Sequence, residues 1–257
     1  MTGALPPLNR TVRASARGLV YSERGTGQPV VLVHGWCLNR RLWMYQEEAL
    51  AGERRVLCVD LPGFGDSAGL AGPYTLDRYA AELSELVREV SAEGAVVAGF
   101  AFGAAVAMAA AAEEPSCFGG LVLIGTPSAA TAAYDRMPRA MRRDWPEFAR
   151  RSALAICKQP HSEATLAWLA AIFEATPLPV ALETVALLGG FEPVPLAPRV
   201  GVRSLLVHGA QDDVVPVDIS QRCADAMPDA RLEVVEDSGH LVVLDQKDRL
   251  TELISSF

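Results

Sequence analysis

The sequence predicts an α/β domain with a doubly wound, mostly parallel sheet and a helical segment inserted after a central strand. Three observations support this fold class. Short runs of β-branched residues alternate with longer helical patterns along the chain. Four of these runs are apolar at every position, as in strands that are buried on both faces of a parallel sheet. The alternation stops between Pro127 and Pro195, where the chain has eight prolines and no convincing strand.

Seven strands are predicted in chain order. They span residues 18–22, 30–34, 56–60, 95–99, 121–125, 204–208 and 232–236. Helices long enough to connect parallel strands are predicted at residues 76–90, 102–114, 218–227 and 247–255. Because such crossover connections are right-handed, the order of strands and helices indicates a doubly wound sheet.

The predicted insertion comprises residues 127–195, and the core comprises residues 1–126 and 196–257. Ligands of open α/β sheets bind outside the carboxyl ends of the strands. A helical insertion at such an end is therefore expected to act as a lid over a binding site. A purely structural subdomain is the alternative.

The composition excludes several classes of protein. Hydrophobic residues make up 50% of the 257 residues and charged residues 21%, which excludes a disordered or fibrous chain. The 23 basic and 31 acidic residues give a formal net charge of −8, so we expect no binding to nucleic acid or to a membrane surface. No stretch has the length and apolarity of a membrane span, and residues 1–17 do not resemble a secretory signal.

The cysteines and histidines do not indicate a metal site or a disulfide framework. The five cysteines are odd in number and form no Cys-x-x-Cys pair, and the four histidines lack metal-ligand spacing. These residues are Cys37, Cys58, Cys117, Cys157 and Cys223, and His34, His161, His208 and His240. We expect reduced thiols, a cytoplasmic location, no metal and no other cofactor.

The segment Gly99-Phe-Ala101-Phe-Gly103 joins a buried strand to an alanine-rich helix. A strand-to-helix turn this sharp needs small residues on both sides of a central residue in strained geometry. That requirement underlies the Gly-x-Ser-x-Gly motif of a nucleophile elbow. Here the central residue is Ala101 instead of serine. The pattern alone is weak, because small residues before helices are common.

Four further motifs follow predicted strands. Val33-His34-Gly35-Trp36 follows the second strand, and Asp60-Leu-Pro-Gly63-Phe-Gly65-Asp-Ser67 follows the third. His208-Gly209-Ala-Gln-Asp212-Asp-Val-Val-Pro216 follows a late buried strand, and Asp237-Ser-Gly239-His240 follows the last strand. An elbow, then an acid, then a histidine is the chain order of the triad in α/β-hydrolases.

With these five motifs, the chain resembles the α/β-hydrolase family over about residues 18–257. Its segments His34-Gly-Trp36-Cys-Leu-Asn39 and Asp60-Leu-Pro-Gly-Phe-Gly65 are most similar to those of pimeloyl-acyl-carrier-protein methyl ester esterases of biotin synthesis. Related esterases, lactonases and carbon–carbon bond hydrolases share parts of both. The resemblance implies the α/β-hydrolase fold and a carboxylesterase of the serine-hydrolase type without a cofactor.

The resemblance also implies roles for individual residues. His240 would act as general base and then as general acid, and Asp212 would orient it, with Asp213 as the rival acid. The backbone N–H groups of Trp36 and Phe102 would form the oxyanion hole. The Trp36 ring would also line the acyl pocket.

Ala101 occupies the position of the nucleophile and cannot form an acyl-enzyme. Loss of a triad serine costs on the order of a millionfold in turnover, so the chain is expected to be nearly inactive. Cys37 follows a different strand and is not expected to replace the serine, and the histidines of the two His-Gly turns are expected to be structural. Because His240 and Asp212 are retained, an engineered serine-to-alanine change is favoured, and a natural non-hydrolytic protein is the alternative.

The first half of the insertion is basic in an otherwise acidic chain. Residues 127–160 carry a formal charge of +4, whereas residues 161–195 carry −4. Acyl carrier proteins are strongly acidic, so a docking role for this region agrees with the resemblance. The candidate contact residues are Arg139, Arg142, Arg143 and Arg150. A solvated helix face is the alternative.

The expected function is hydrolysis of an acyl methyl ester, that of pimeloyl-acyl carrier protein, by a cytoplasmic monomer. A small free ester is a second possible substrate. Two other functions remain open. One is a ligand-binding protein that holds a small apolar acyl ligand. The other is a cofactor-free lyase or cyclase in which His240 acts alone as a base.

Overall fold

The computed structural model describes residues 10–129 and 134–257. Within these ranges one sheet contains β1 (Thr11–Ala14), β2 (Val20–Arg24), β3 (Gln28–Val33), β4 (Arg54–Val59), β5 (Ala95–Phe100), β6 (Phe118–Ile124), β7 (Ser204–Gly209) and β8 (Ala230–Val235). The strand order is β1-β2-β4-β3-β5-β6-β7-β8. The β1–β2 and β2–β4 pairs are antiparallel, and the other pairs are parallel. The predicted α/β class with a mostly parallel sheet is confirmed.

The centre of the sheet is buried on both faces, as the apolar runs predict. Strand β3 lies between β4 and β5, with Val30 aligned to Val56 on one side and to Val96 on the other. All seven predicted strands are present, with bounds that shift by at most three residues. Strand β1 is not predicted from the sequence, because it is an exposed edge strand without a buried face.

Helices connect the strands and fill the insertion. Within the described residues they are α1 (Met44–Leu50), α2 (Leu76–Glu89), α3 (Phe102–Glu113), α4 (Met137–Arg143), α5 (Trp145–Ala155), α6 (Glu163–Glu174), α7 (Leu178–Gly189), α8 (Pro193–Leu196), α9 (Val217–Ala226), α10 (Val242–Asp245) and α11 (Lys247–Ser255). Short 3-10 helices lie at Arg40–Trp43, Gly65–Ser67, Pro115–Cys117 and Ala197–Arg199. The four predicted helices correspond to α2, α3, α9 and α11, and their bounds differ by at most one residue. Of the described helices, none by itself meets the length and hydropathy criteria of a membrane span, and α6 and α7 meet them only as a pair bent by 92°.

The segment between β6 and β7 forms α4 to α8 and, where the structure describes it, no strand. Helix α5 packs against α6, and α4 packs against α5 and α7. A proline stands in the first turn of α4, α5, α7 and α8, where its missing N–H removes no helical hydrogen bond. Four of the eight prolines that interrupt the sequence pattern thus mark helix starts. Residues 130–133 of the predicted insertion and residues 1–9 of the predicted core lie outside the described residues.

Candidate active site

Strand β5 and helix α3 meet in a sharp turn at Ala101. The backbone angles of Ala101 are φ 47° and ψ −108°, and a positive φ is strained for a residue with a Cβ atom. Hydrogen bonds fix the turn on both sides. The Ala101 N–H donates to the Ile124 carbonyl at 2.8 Å, and the Ala101 carbonyl accepts from the Ala104 N–H at 2.9 Å. The turn therefore holds Ala101 where it lines a cavity.

Gly99 and Gly103 are required for this turn because a side chain does not fit at either position. A Cβ atom on Gly99 would lie 2.4 Å from the Gly103 carbonyl oxygen. A Cβ atom on Gly103 would lie 2.3 Å from the Val33 carbonyl oxygen. Both contacts are with backbone atoms in a close-packed interior, so relief would require α3 to move away from the sheet. The small residues of the elbow motif thus have a steric cause.

A carboxylate and an imidazole lie together beyond the carboxyl ends of β7 and β8. Asp212 Oδ2 is 2.8 Å from His240 Nδ1, and the two side chains are 1% and 7% exposed. The second carboxylate oxygen, Oδ1, accepts the backbone N–H groups of Val214 at 2.8 Å and Val215 at 2.9 Å. These bonds fix the plane of the carboxylate. His240 is thereby held through Nδ1, and its Nε2 atom is left for another partner.

Asp212 also contacts a second imidazole. His208 Nε2 lies 3.2 Å from Asp212 Oδ2 and 2.9 Å from the Val215 carbonyl, and His208 Nδ1 lies 2.8 Å from Ser220 Oγ. Burial opposes ionisation of Asp212. The charge of His240 and the hydrogen bonds from His208, His240 and Val215 nevertheless hold the pKa of Asp212 well below its usual range. His208, which the sequence indicates only as a structural histidine, thus helps to hold an anionic Asp212.

Asp213, the rival acid, faces solvent. Its side chain is 74% exposed and forms an ion pair with Lys158 of the insertion. The His-Gly-x-x-Asp spacing favours Asp212 over Asp213. In the structure Asp212 is the carboxylate that contacts His240.

Among the residues that the structure describes, the backbone N–H groups of Trp36 and Phe102 have no acceptor. Trp36 lies inside the turn Gly35–Leu38 and lines the same cavity as Ala101. Phe102 is the first residue of α3, so its N–H has no partner within the helix. Neither N–H group donates to an atom of residues 10–129 or 134–257. Both are therefore available to an oxygen atom placed beside Ala101.

A cavity of about 280 Å³ lies between the core and the insertion, with Ala101 and His240 in its wall. The insertion supplies mainly apolar side chains to this wall. They include Met137, Phe148, Ile156, Phe173 and Leu188. Ser152 and Tyr134 add hydroxyl-bearing side chains. The cavity thus suits a ligand with an apolar body and a polar end at His240.

The Trp36 ring forms part of the cavity wall, where the resemblance implies an acyl pocket. Its Nε1–H donates to Thr184 Oγ1 of α7 at 3.0 Å. The ring also packs edge-to-face against Trp145 and Phe173, with centroid distances of 6.4 and 6.2 Å. The orientation of Trp36 is therefore fixed by the insertion.

The buried carboxylate of Asp245 joins the insertion to the loop before His240. Asp245 Oδ2 accepts the Gly239 N–H at 2.8 Å, and Asp245 Oδ1 lies 2.8 Å from His161 Nε2. The side chain of Asp245 is fully buried. Sequence reasoning missed this residue, and its only signal is a carboxylate at the end of the apolar run that follows His240.

His34 and Cys37 have structural contacts. His34 is fully buried, its Nε2 accepts the Leu61 N–H at 3.0 Å, and its Nδ1–H donates to the Gly35 carbonyl at 2.8 Å. Burial lowers the pKa of His34 and raises the pKa of the Cys37 thiol well above its usual range. The described residues contain no group of three or more His, Cys, Asp or Glu side chains that could hold a metal ion.

The arginines of the basic region fall into two groups. Arg139, Arg142 and Arg143 are exposed on α4 and form no ion pair with any residue that the structure describes. Arg150 and its neighbour on α5 are bound to Glu147, at 3.0 Å for Arg150 Nε. Hydrogen bonds from these two arginines lower the pKa of Glu147 to about 2. The α4 arginines are thus available to a partner, whereas Arg150 already has one.

Comparison with known proteins gives a consistent result. A family model described as the alpha/beta hydrolase family matches residues 30–253. A pimeloyl-[acyl-carrier protein] methyl ester esterase of Methylococcus capsulatus is 28% identical, over 93% of this chain and 98% of its own. A 2-hydroxy-6-oxo-6-(2'-aminophenyl)hexa-2,4-dienoic acid hydrolase of Metapseudomonas resinovorans is 24% identical, over 97% of this chain and 90% of its own. The solved structure of a thermophilic esterase from Thermogutta terrifontis is 27% identical, with a TM-score of 0.80 over 96% of this chain and 97% of its own.

Substitution of the two neighbouring aspartates by asparagine should have different effects on the stability of the protein. Asp212→Asn should lower the free energy of unfolding by about 1–3 kcal/mol, because the amide N–H would face imidazole N–H donors in a buried site. Asp213→Asn removes an exposed ion pair and should change it far less. Urea denaturation of both variants measures the difference.

The difference in stability between the parent protein and Asp212→Asn should depend on pH. Because the pKa of Asp212 is depressed in the folded protein, its stabilising effect is present above the ordinary aspartate pKa of about 4 and is lost as the pH falls through the folded-state value. The gap between the parent and Asp212→Asn should shrink below about pH 4. Equal stability losses for the two variants at pH 7 would contradict the assignment of Asp212 as the buried anion.

Proposed function

The chain belongs to the alpha/beta hydrolase family, and from this premise we propose that its cavity is the site of a carboxylesterase in which Ala101 stands at the position of the nucleophilic serine. Relatives that are named as methyl ester esterases support a hydrolase function for this chain. The single observation that carries the proposal is the Asp212–His240 pair, which opens onto a cavity that Ala101 also lines. We further propose that residues 127–195 act as a lid over a core of residues 1–126 and 196–257.

Each group has a role in the proposed reaction when position 101 carries a serine. His240 Nε2 removes the proton from the hydroxyl, and the serine oxygen attacks the ester carbonyl. The N–H groups of Trp36 and Phe102 stabilise the oxyanion, and His240 returns the proton to the leaving alcohol. Water then cleaves the acyl-enzyme by the same route. Asp212 stays anionic and stabilises the imidazolium.

With Ala101 this sequence of steps cannot begin, because no oxygen at position 101 can attack the ester. Removal of a triad serine costs on the order of a millionfold in turnover. The chain as it stands is therefore proposed to bind its ligand with almost no hydrolysis.

The proposed substrate is an acyl methyl ester that is carried on acyl carrier protein. Specifically, it is the methyl ester of pimeloyl-acyl carrier protein in biotin synthesis. The name of the Methylococcus capsulatus relative suggests this substrate. The apolar cavity of about 280 Å³ accommodates an acyl chain next to His240. The same proposal includes a cytoplasmic monomer without a cofactor.

Helix α4 supports docking of such a carrier. Met137 at its start lines the cavity, and Met141 is buried, whereas Arg139, Arg142 and Arg143 are exposed. One side of α4 thus borders the acyl site while the other presents a positive surface. An acidic carrier bound to that surface would lie beside the rim of the cavity, and opposite charge speeds such an encounter.

A second candidate function is acid/base chemistry by His240 without a nucleophile, as in a lyase or cyclase. The observation that favours it is that Asp212 still holds His240 through Nδ1 although position 101 is alanine. The two candidates differ in what a serine at position 101 would do.

Ala101→Ser is expected to raise the hydrolysis of nitrophenyl butyrate by at least about a thousandfold, because it would add the nucleophile to the proposed acid, base and oxyanion N–H groups. Initial rates of nitrophenol release measure this gain. In the serine background, Asp212→Asn should remove at least about a thousandfold of it, and Asp213→Asn should remove much less. A folded Ala101→Ser variant that stays at background would contradict the esterase proposal and favour the second candidate.

Charge reversal on α4 should separate docking from chemistry. In the Ala101→Ser background, the triple change Arg139→Glu, Arg142→Glu and Arg143→Glu should raise KM for an acyl-carrier-protein methyl ester and leave turnover of nitrophenyl butyrate unchanged. The parent's KM for the carrier substrate should rise with added salt, because exposed charges are screened.

A matched control reverses three exposed arginines of the core. These are Arg13 on β1, Arg231 on β8 and Arg249 on α11. The control makes the same change in net charge and should leave KM for the carrier substrate nearly unchanged. Equal effects of the two triple variants, or no effect of either, would contradict docking on α4.

A further inference from the structure

Two backbone N–H groups at the turn of Ala101 and the nearby loop of Trp36 have no acceptor among the described residues. The Phe102 N–H lies at the N-terminus of α3, a twelve-residue helix with no acidic residue in its first turn. The positive end of the helix dipole and a free N–H group attract negative charge at this point. Trp36, whose N–H belongs to a different loop, lines the same cavity as Ala101.

The imidazole of His240 is a third group that could bind an anion, and it does not depend on the helix. The side chain of His240 is 7% exposed and lines the cavity. Its Nδ1 atom is bound to Asp212, whereas Nε2 has no partner within residues 10–129 or 134–257. With a proton on Nε2, the imidazolium is stabilised by anionic Asp212 on one side and can donate to an anion on the other.

Ala101 lacks the hydroxyl group that a serine would place in this cavity. A serine hydroxyl at this position would occupy space in front of the N–H groups and would use His240 Nε2 as its hydrogen-bond partner. Alanine does neither. A ligand with two oxygen atoms has one acceptor for the backbone N–H groups and a second for His240 Nε2. A planar carboxylate presents two oxygens in this way.

The remainder of the cavity selects an apolar tail. It is lined by apolar side chains, among them Phe148, Ile156 and Phe173 of the insertion and Val214 of the core. Its volume of about 280 Å³ is at the lower end of the range for small-molecule sites, which limits the length of the tail.

We infer that the chain, as it stands with Ala101, binds the free acid of a short or medium acyl chain, with the carboxylate between the N–H groups of Trp36 and Phe102 and the imidazole of His240. This inference rests on the proposed function, because it uses the same N–H groups and imidazole, and it names the ligand of that site when no nucleophile is present. The chain then acts as a receptor for a fatty acid of the type that ester cleavage would release.

Isothermal titration calorimetry of the unmodified protein with three ligands of equal length tests this inference. Octanoate should bind about 10- to 100-fold more tightly than octanol, because it adds a charge-assisted hydrogen bond. Octylamine, which has the opposite charge, should bind more weakly than octanol. Since all three tails are alike, the comparison isolates the head group and needs no variant to fold.

Two variants locate the head group. His240→Gln has a side chain of similar size without the imidazolium, and it should weaken octanoate binding by about 10- to 100-fold while changing octanol binding little. Ala101→Ser should weaken octanoate binding about 10-fold, because the hydroxyl competes for His240 and for space. Thermal denaturation of both variants verifies that they are folded.

Equal binding of octanoate and octanol to the unmodified protein would overturn the inference, as would octanoate binding that His240→Gln leaves unchanged. This result is distinguishable from failure of the proposed function, which is measured by ester hydrolysis in the Ala101→Ser variant. A variant that hydrolyses esters, together with a parent that does not prefer octanoate, would retain the esterase site and reject the acid receptor.

Discussion

The strained backbone at Ala101 is the constraint around which the site is arranged. A positive φ costs an alanine of the order of 1 kcal/mol or more, and it persists only where the surroundings determine it. Here the hydrogen bond to Ile124 of β6 and the close packing of Gly99 and Gly103 hold the backbone in this conformation. The consequence is that residue 101 faces a cavity, with the first N–H of α3 beside it.

The other polar groups reach this cavity from the ends of different strands. Parallel strands bring their carboxyl ends to one edge of a sheet, so that Trp36 and His240 line one cavity and Asp212 binds His240 although the three are distant in sequence. Each is held separately: Asp212 by backbone N–H groups and His208, and the loop before His240 by Asp245. The proposed esterase site therefore lacks only a serine hydroxyl at position 101. In our proposal, that hydroxyl decides between ester cleavage and acid binding.

The sequence predicts most of the core and the principal groups of the site for identifiable reasons. Strands that are apolar on both faces are evident, whereas the exposed edge strand β1 carries no such pattern. The individual helices of the insertion are not predicted, because their prolines look like interruptions until the structure places them in first turns. The contacts of His208 and Asp245 are also missed, because partners such as Ser220 and His161 are recognisable only after folding.

Covalent labelling of the Ala101→Ser variant tests the central claim most directly, because it requires an activated nucleophile in position and no particular substrate. A fluorophosphonate reacts with a serine only when a neighbouring base removes its proton and the oxyanion is stabilised. Intact-mass spectrometry should find one equivalent of adduct in the variant, located at position 101 by peptide mapping, and none at that position in the chain with Ala101. A folded variant that acquires no adduct would contradict the account.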